Sequence, residues 1–239
     1  MFIKNNIIVL SKIKYSESDL IIKAYSREQG IISYILKGIL KQKKGKLRAS
    51  HFQLLSQLAV ESNHKPNRQL QSIKDARLNY FYKSIHTNVF KASIIIFLSE
   101  MLSSVIKEEE PNEALYDFLV TSFQWFDHQD EFANFHLLFL VKLTKYLGCY
   151  PDVSNIEAPF FSMSKGVFTD EEQDVYSISD NNLTILKQLL GTNFEAINSI
   201  QLSAQQRQSF LNMFLLYFEL HLGDFKKPKS LEVFKQVFS

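Results

Sequence analysis

Cysteine is almost missing from this sequence. Cys149 is the single one in 239 residues, so no intramolecular disulfide can form, and a reducing compartment is expected. Long apolar runs are missing too. The longest, Ile94–Leu98 and Leu137–Val141, stop at Ser99 and Lys142, well short of the ~18 residues a membrane span needs. The opening MFIKNNIIVL has no apolar core followed by small residues, so no secretory leader is expected. Those absences lead to the expectation of a soluble cytoplasmic protein with no membrane partner. There are only 7 glycines and 5 prolines, with no internal repeat and no low-complexity segment. A large charge imbalance is also lacking. Net charge is +2, so affinity for a polyanion has to come from a local patch.

One such patch follows from a local absence. No Asp or Glu occurs between Gln29 and Val60, although 22% of the chain is charged. Inside that window Lys37–Arg48, KGILKQKKGKLR, carries Lys37, Lys41, Lys43, Lys44, Lys46 and Arg48. Most lysine-rich stretches are simply solvated loops. Here no acid compensates the charge, and Gly38 and Gly45 allow close approach of a backbone to phosphate. The loop is therefore expected to bind nucleic acid. Lys23, Lys65 and Arg68 would widen the patch if the fold brings them alongside.

The first 80 residues read as β-structure. Strands are expected at Ile7–Tyr15, Asp19–Ser26, Gly30–Lys37, His51–Glu61 and Leu70–Arg77, separated by polar or glycine turns. Five short strands at near-regular spacing suggest a small barrel or sandwich, and a five-stranded OB-type barrel fits the length. Tyr15, Tyr25, Tyr34 and Phe52 lie on or next to those strands. They are base-stacking candidates if they face outward and core residues if they do not.

Beyond Asn79 the apolar spacing becomes helical. Helices are expected at Asn88–Lys107, from Asn112 to about Phe126, and at Glu131–Leu147, Asn182–Leu190 and Ser203–Leu222, with a last short one after Pro228. Cys149–Asn182 reads as irregular. The expected fold class is α+β: an N-terminal barrel over residues 1–79, then a helical domain over 80–239. The Phe- and Leu-rich helices suit a bundle core, or else a groove receiving a partner peptide.

Catalytic signals are weak. The six histidines form no pair at metal-site spacing, and Cys149 follows an expected helix end, where the dipole disfavours a thiolate. There is no P-loop, nucleophile elbow or dinucleotide fingerprint. Glu108–Glu110 and the group Glu171, Glu172 and Asp174 read as solvated acids. A binding protein is expected, with no catalytic residue, no cofactor and no enzyme activity. The competing class is a non-enzymatic interaction scaffold whose barrel binds a protein.

Taken in order, these features resemble the bacterial recombination-mediator family RecO. The resemblance is carried by Tyr15, Glu17 and Asp19 at the first turn, Glu28 and Gly30 at the second, and Lys37-Gly38 ahead of the basic loop. It continues in Leu147-Gly148-x-x-Pro151 and in Phe161-Ser162 followed by Gly166-x-Phe168, and so covers nearly the whole chain. It implies binding of single- and double-stranded DNA and annealing of complementary strands. It also implies work with RecR, and often RecF, to load RecA onto strands coated by single-strand-binding protein, at the nucleoid. The coating protein's acidic, Phe-terminated tail would suit an apolar pocket edged by Lys142, Lys145 or Arg207. Many family members carry two C-x-x-C zinc pairs. Here the corresponding positions, near Ile156–Pro159 and Thr169–Glu172, hold no cysteine, so no zinc is expected. Packing of Phe160, Phe161, Val167 and Phe168 is expected to hold that segment instead.

Overall fold

The computed structural model describes residues 2–41, 47–65, 67–107 and 110–238. Five strands come first: β1 (Phe2–Lys14), β2 (Leu20–Ser26), β3 (Gly30–Leu36), β4 (Gln57–Asn63) and β5 (Leu70–Leu78). They close a barrel in the order β1-β2-β3-β5-β4, with every pair antiparallel except β3 and β5. The expected OB-type barrel is thus present. Alternation along the strands turns Ile7, Val9, Ile22, Tyr34, Leu58 and Val60 into one buried cluster. Burying side chains of this size contributes roughly 1.5–3 kcal/mol each.

Two local departures shape the barrel. The strand expected from His51 starts only at Gln57. The apolar residues before it form a plug: Phe52 and Leu55 are fully buried, and Leu55 takes a φ of 60°. A leucine rarely adopts that conformation. Here its amide donates to the Val9 carbonyl at 2.7 Å, and its side chain is out of solvent. The second departure is a bulge in β1 between Val9 and Ser11, where the pairing with β2 shifts register. Phe2–Ile8 pairs with β4, and Ile7 and Ile8 pair with β2 as well; from Ser11 to Lys14 the strand pairs with β2 alone.

The helices are α1 (Val89–Val105), α2 (Glu113–His128), α3 (Phe135–Leu143), α4 (Asp180–Leu190), α5 (Ala204–His221) and α6 (Leu231–Val237). Asn88 caps α1, its side chain accepting from the Phe90 and Lys91 amides, and Asn112 accepts from Leu115 N ahead of α2. Ser203 and Gln206 form a capping box on α5. α3 is shorter than expected, since turns replace its first and last residues. The segment expected to be irregular contains a small sheet of β6 (Phe160–Ser162), β7 (Val167–Thr169) and β8 (Ser177–Ile178), ordered β7-β6-β8. Strands of two or three residues are too short to reveal a period-two pattern.

By packing, the chain divides into two units, Met1–His128 with Pro228–Ser230, and Gln129–Lys227 with Leu231–Ser239. The change from strand to helix near Asn79 falls inside the first unit. Polar ties explain why α1 and α2 stay with the barrel. Arg27 spans Asp117 and Glu113 of α2 at 2.7 and 3.1 Å, Gln57 bonds Gln124 of α2, and Ser103 of α1 donates its hydroxyl to the Leu10 carbonyl at 3.3 Å. Among the described residues, no helix is long and apolar enough to cross a membrane.

Candidate nucleic-acid interface

The root of the basic loop is built by the first turn. Asp19 is the acceptor: its carboxylate takes the Gly38 amide at 2.8 Å and the Ser18 hydroxyl at 3.0 Å. The Gly38 hydrogen bond, followed by that of Ser18, holds the Asp19 pKa below its ordinary value. Gly38 sits at φ +68°, open to glycine and strained for other residues. Leu40 N donates to Ser18 O, and Tyr15 N donates to Asp19 O. The residues that carried the family resemblance at this turn therefore clamp the loop to the barrel.

The structure distributes the expected site residues unevenly. Lys37, Lys41 and Arg48 are exposed. Lys41 pairs with Glu17 at 3.5 Å, and both side chains are largely in solvent, so the pairing is weak. Lys43, Lys44 and Lys46 lie outside the described residues. Lys23 is turned away, since its ammonium donates to the Ser103 carbonyl of α1 at 2.9 Å. Burial, and then the charge of Lys107, lowers the Lys23 pKa. Arg68 is exposed at the far end of β3. Because β5 runs parallel to β3 with Leu70 opposite Ser33, Arg68 stands beside the start of β3 and Lys37 beyond its end. That separation is about 20 Å at ~3.3 Å per residue.

Of the four candidate aromatics, Tyr25, Tyr34 and Phe52 are core residues, at 1%, 0% and 0% exposure. Tyr15 is 64% exposed. Two cations that sequence reading did not single out stand close to the loop. Lys12 and Lys14 are exposed, opposite Ile22 and Leu20 of β2, and Leu20 in turn faces Leu36, next to Lys37. Neither has an ion-pair partner among the described residues. The signal that could have found them is the lysine pair in SKIKY, two residues apart on one strand face.

In the second unit a small cleft is lined by His136, Leu211, Phe234 and Phe238, with Arg207 and Lys235 at its edge. Arg207 Nη1 donates to the Leu202 carbonyl at 2.6 Å, and Lys235 pairs with Glu232 at 3.4 Å. Burial, then the Arg207 charge, drives the His136 pKa down to about 3, so its ring is neutral. Lys142 lies elsewhere, donating to Leu190 O at 3.4 Å; Lys145 is exposed and outside the cleft lining. Cys149 is half-buried, and burial pushes its thiol up to about 11. The direction is the one expected, but the cause is burial, because α3 has already ended at Leu143. No group of three or more potential metal ligands exists among the described residues.

A closed OB-type barrel with a cationic end, followed by a helical region, places the chain in an architecture whose barrels hold oligonucleotides or oligosaccharides. Residues 1–82 match the family model for the recombination protein O N terminus, and residues 86–232 match that for its C terminus. The chain is 44% identical over 238 residues to the DNA repair protein RecO of Christiangramia forsetii, and 41% identical over 239 residues to that of Flavobacterium psychrophilum, each covering 100% of both chains. It is 33% identical over 235 residues to the RecO of Bacteroides fragilis, covering 97% of each. The chain belongs to the RecO family of DNA repair proteins.

Proposed function

We propose that this protein is a DNA-binding recombination mediator that brings single- and double-stranded DNA to the cationic end of its barrel and anneals complementary strands. With RecR, and RecF where it is used, it helps load RecA onto strands coated by single-strand-binding protein, in the cytoplasm at the nucleoid. The observation that carries this reading is the cluster of exposed lysines, Lys12, Lys14 and Lys37, beside the root of an acid-free basic loop. Annealing requires two phosphate chains to approach while their bases stay free. Ammonium groups on flexible stems screen that repulsion without reading sequence. No bond is made or broken, so the action needs no catalytic residue and no cofactor.

The cleft of Phe234, Phe238, Arg207 and Lys235 supports a second contact, with the acidic, Phe-ended tail of the coating protein. Apolar walls suit a phenyl ring and the edge cations suit a carboxylate.

The loop assignment is tested by replacing Lys41, Lys43, Lys44 and Lys46 with Ala and measuring oligonucleotide affinity across salt. The log–log slope should shrink by about 0.7 for each single-strand phosphate that the loop no longer neutralises. Lys23→Gln serves as the internal control and should leave the slope unchanged. An unchanged slope in the quadruple variant removes the loop from the interface.

A further inference from the structure

We propose that the projecting end of β1 is a base-stacking platform for single-stranded DNA, on which Ile13 and Tyr15 hold bases while Lys12 and Lys14 hold phosphates. This rests on the DNA-binding reading above and adds to it a means of preferring single strands.

The platform is a product of the bulge. Before it, Val9 faces the barrel interior opposite Ala24. After it, Lys12 and Lys14 are the residues opposite the inward-facing Ile22 and Leu20, and Ile13 is opposite Ile21 on the outer side. An uninterrupted strand would have buried Ile13. Instead Ile13 is 63% exposed, and Tyr15, just past the end of β1, is 64% exposed. The ribbon therefore has a cationic face and an apolar face. It is joined to the basic loop through Asp19 to Gly38 and Ser18 to Leu40, so the two present themselves to a ligand together.

The occupant follows from charge and spacing. Side chains two residues apart on a strand stand about 6.6 Å apart. Two stacking steps span nearly the same distance, at ~3.4 Å each. Lys4 and Arg77 stand among acids instead: Lys4 pairs with Glu61 at 3.6 Å and Arg77 with Asp75 at 3.7 Å, lining a groove of mixed charge. Lysines alone could serve to keep an unpaired edge from sticking to other strands. That role does not account for an isoleucine and a tyrosine exposed between and beside them. A duplex hides the faces of its bases and cannot use this surface; a single strand can.

The test uses the full-length chain with Tyr15→Ala, Tyr15→Phe and Ile13→Ser. Both sites are exposed, and thermal melts check folding. Binding is measured by anisotropy to an oligothymidine of about 30 nucleotides, to an abasic oligomer of equal length, and to a duplex. Tyr15→Ala should weaken oligothymidine binding by about 5- to 150-fold, the worth of one stacked base. It should change duplex and abasic affinity less than about twofold, and Tyr15→Phe should bind like the wild type. Equal loss on all three ligands, or none on oligothymidine, overturns the platform while leaving the DNA-binding reading intact. Wild-type protein that binds none of the three overturns both.

Discussion

At the scale of single residues, Asp127 shows how a charge is kept in a protein interior. It is only 3% exposed, and its carboxylate accepts from the Lys83, Ser84 and Ile85 amides at 2.8, 2.8 and 3.1 Å. Burial pushes its pKa up, but these hydrogen bonds and the Ser84 hydroxyl outweigh it and bring the value below the ordinary one. A carboxyl lowered in the folded state stabilises fully above its unfolded pKa of ~4, and that contribution is lost as pH falls through the folded value. Asp127→Asn should therefore cost roughly 2–3 kcal/mol at neutral pH, because one amide donor would face others. In thermal melts the gap to wild type should close below about pH 4. A gap independent of pH would mean that the carboxylate's charge is not what holds this turn.

At the scale of elements, the small sheet of β6, β7 and β8 stands where other family members are expected to carry cysteine ligands. Among the described residues its contacts are apolar and polar ones. The Phe161 and Phe168 rings meet tilted at 53° with centroids 4.8 Å apart, Tyr217 donates to the Cys149 carbonyl at 2.8 Å, and His221 meets the Met163 carbonyl at 2.7 Å. Gly166 is the tight point. Its φ is +71°, and a Cβ there would lie 2.9 Å from the Tyr217 hydroxyl oxygen. Gly166→Ala should cost roughly 2 kcal/mol from backbone strain and the displaced phenol, lowering the melting temperature by roughly 4–8 °C. Chelators should leave the wild-type melt unchanged, and a chelator-induced drop would show that a metal carries the segment. Of the expected packing residues, Phe161 and Phe168 are core and Phe160 and Val167 are half-buried.

For the whole molecule, the two proposed contacts sit on different units, DNA on the first and the acidic tail on the second. A peptide matching that tail should bind the full-length chain, and Arg207→Gln or Lys235→Gln should weaken it by about 10- to 150-fold, the scale of a charge-assisted hydrogen bond. Titration calorimetry measures this. Oligonucleotide affinity should be unaffected in the same variants, because both cations lie in the second unit. Equal peptide affinity in all three proteins would remove the cleft from the proposal.

What the sequence by itself determined was the barrel, the helical remainder, the acid-free loop and the family. Those follow from period, turn residues and composition, which are local along the chain. The helix starts near Asn88, Asn112 and Ser203 were legible for the same reason. The site was legible only in part. Lys37, Lys41 and Arg48 stand in solvent, but Lys23 was drawn off to α1, Arg68 to the far end of β3, and three of four aromatics to the core. Each outcome depends on what the far side of the barrel or a helix presses against, and no window of sequence contains that. The same holds for the bulge at Val9–Ser11. Shifting one residue exchanges the two faces of a strand, so tertiary pairing decided that Lys12 and Lys14 continue the inward row while Ile13 and Tyr15 meet water.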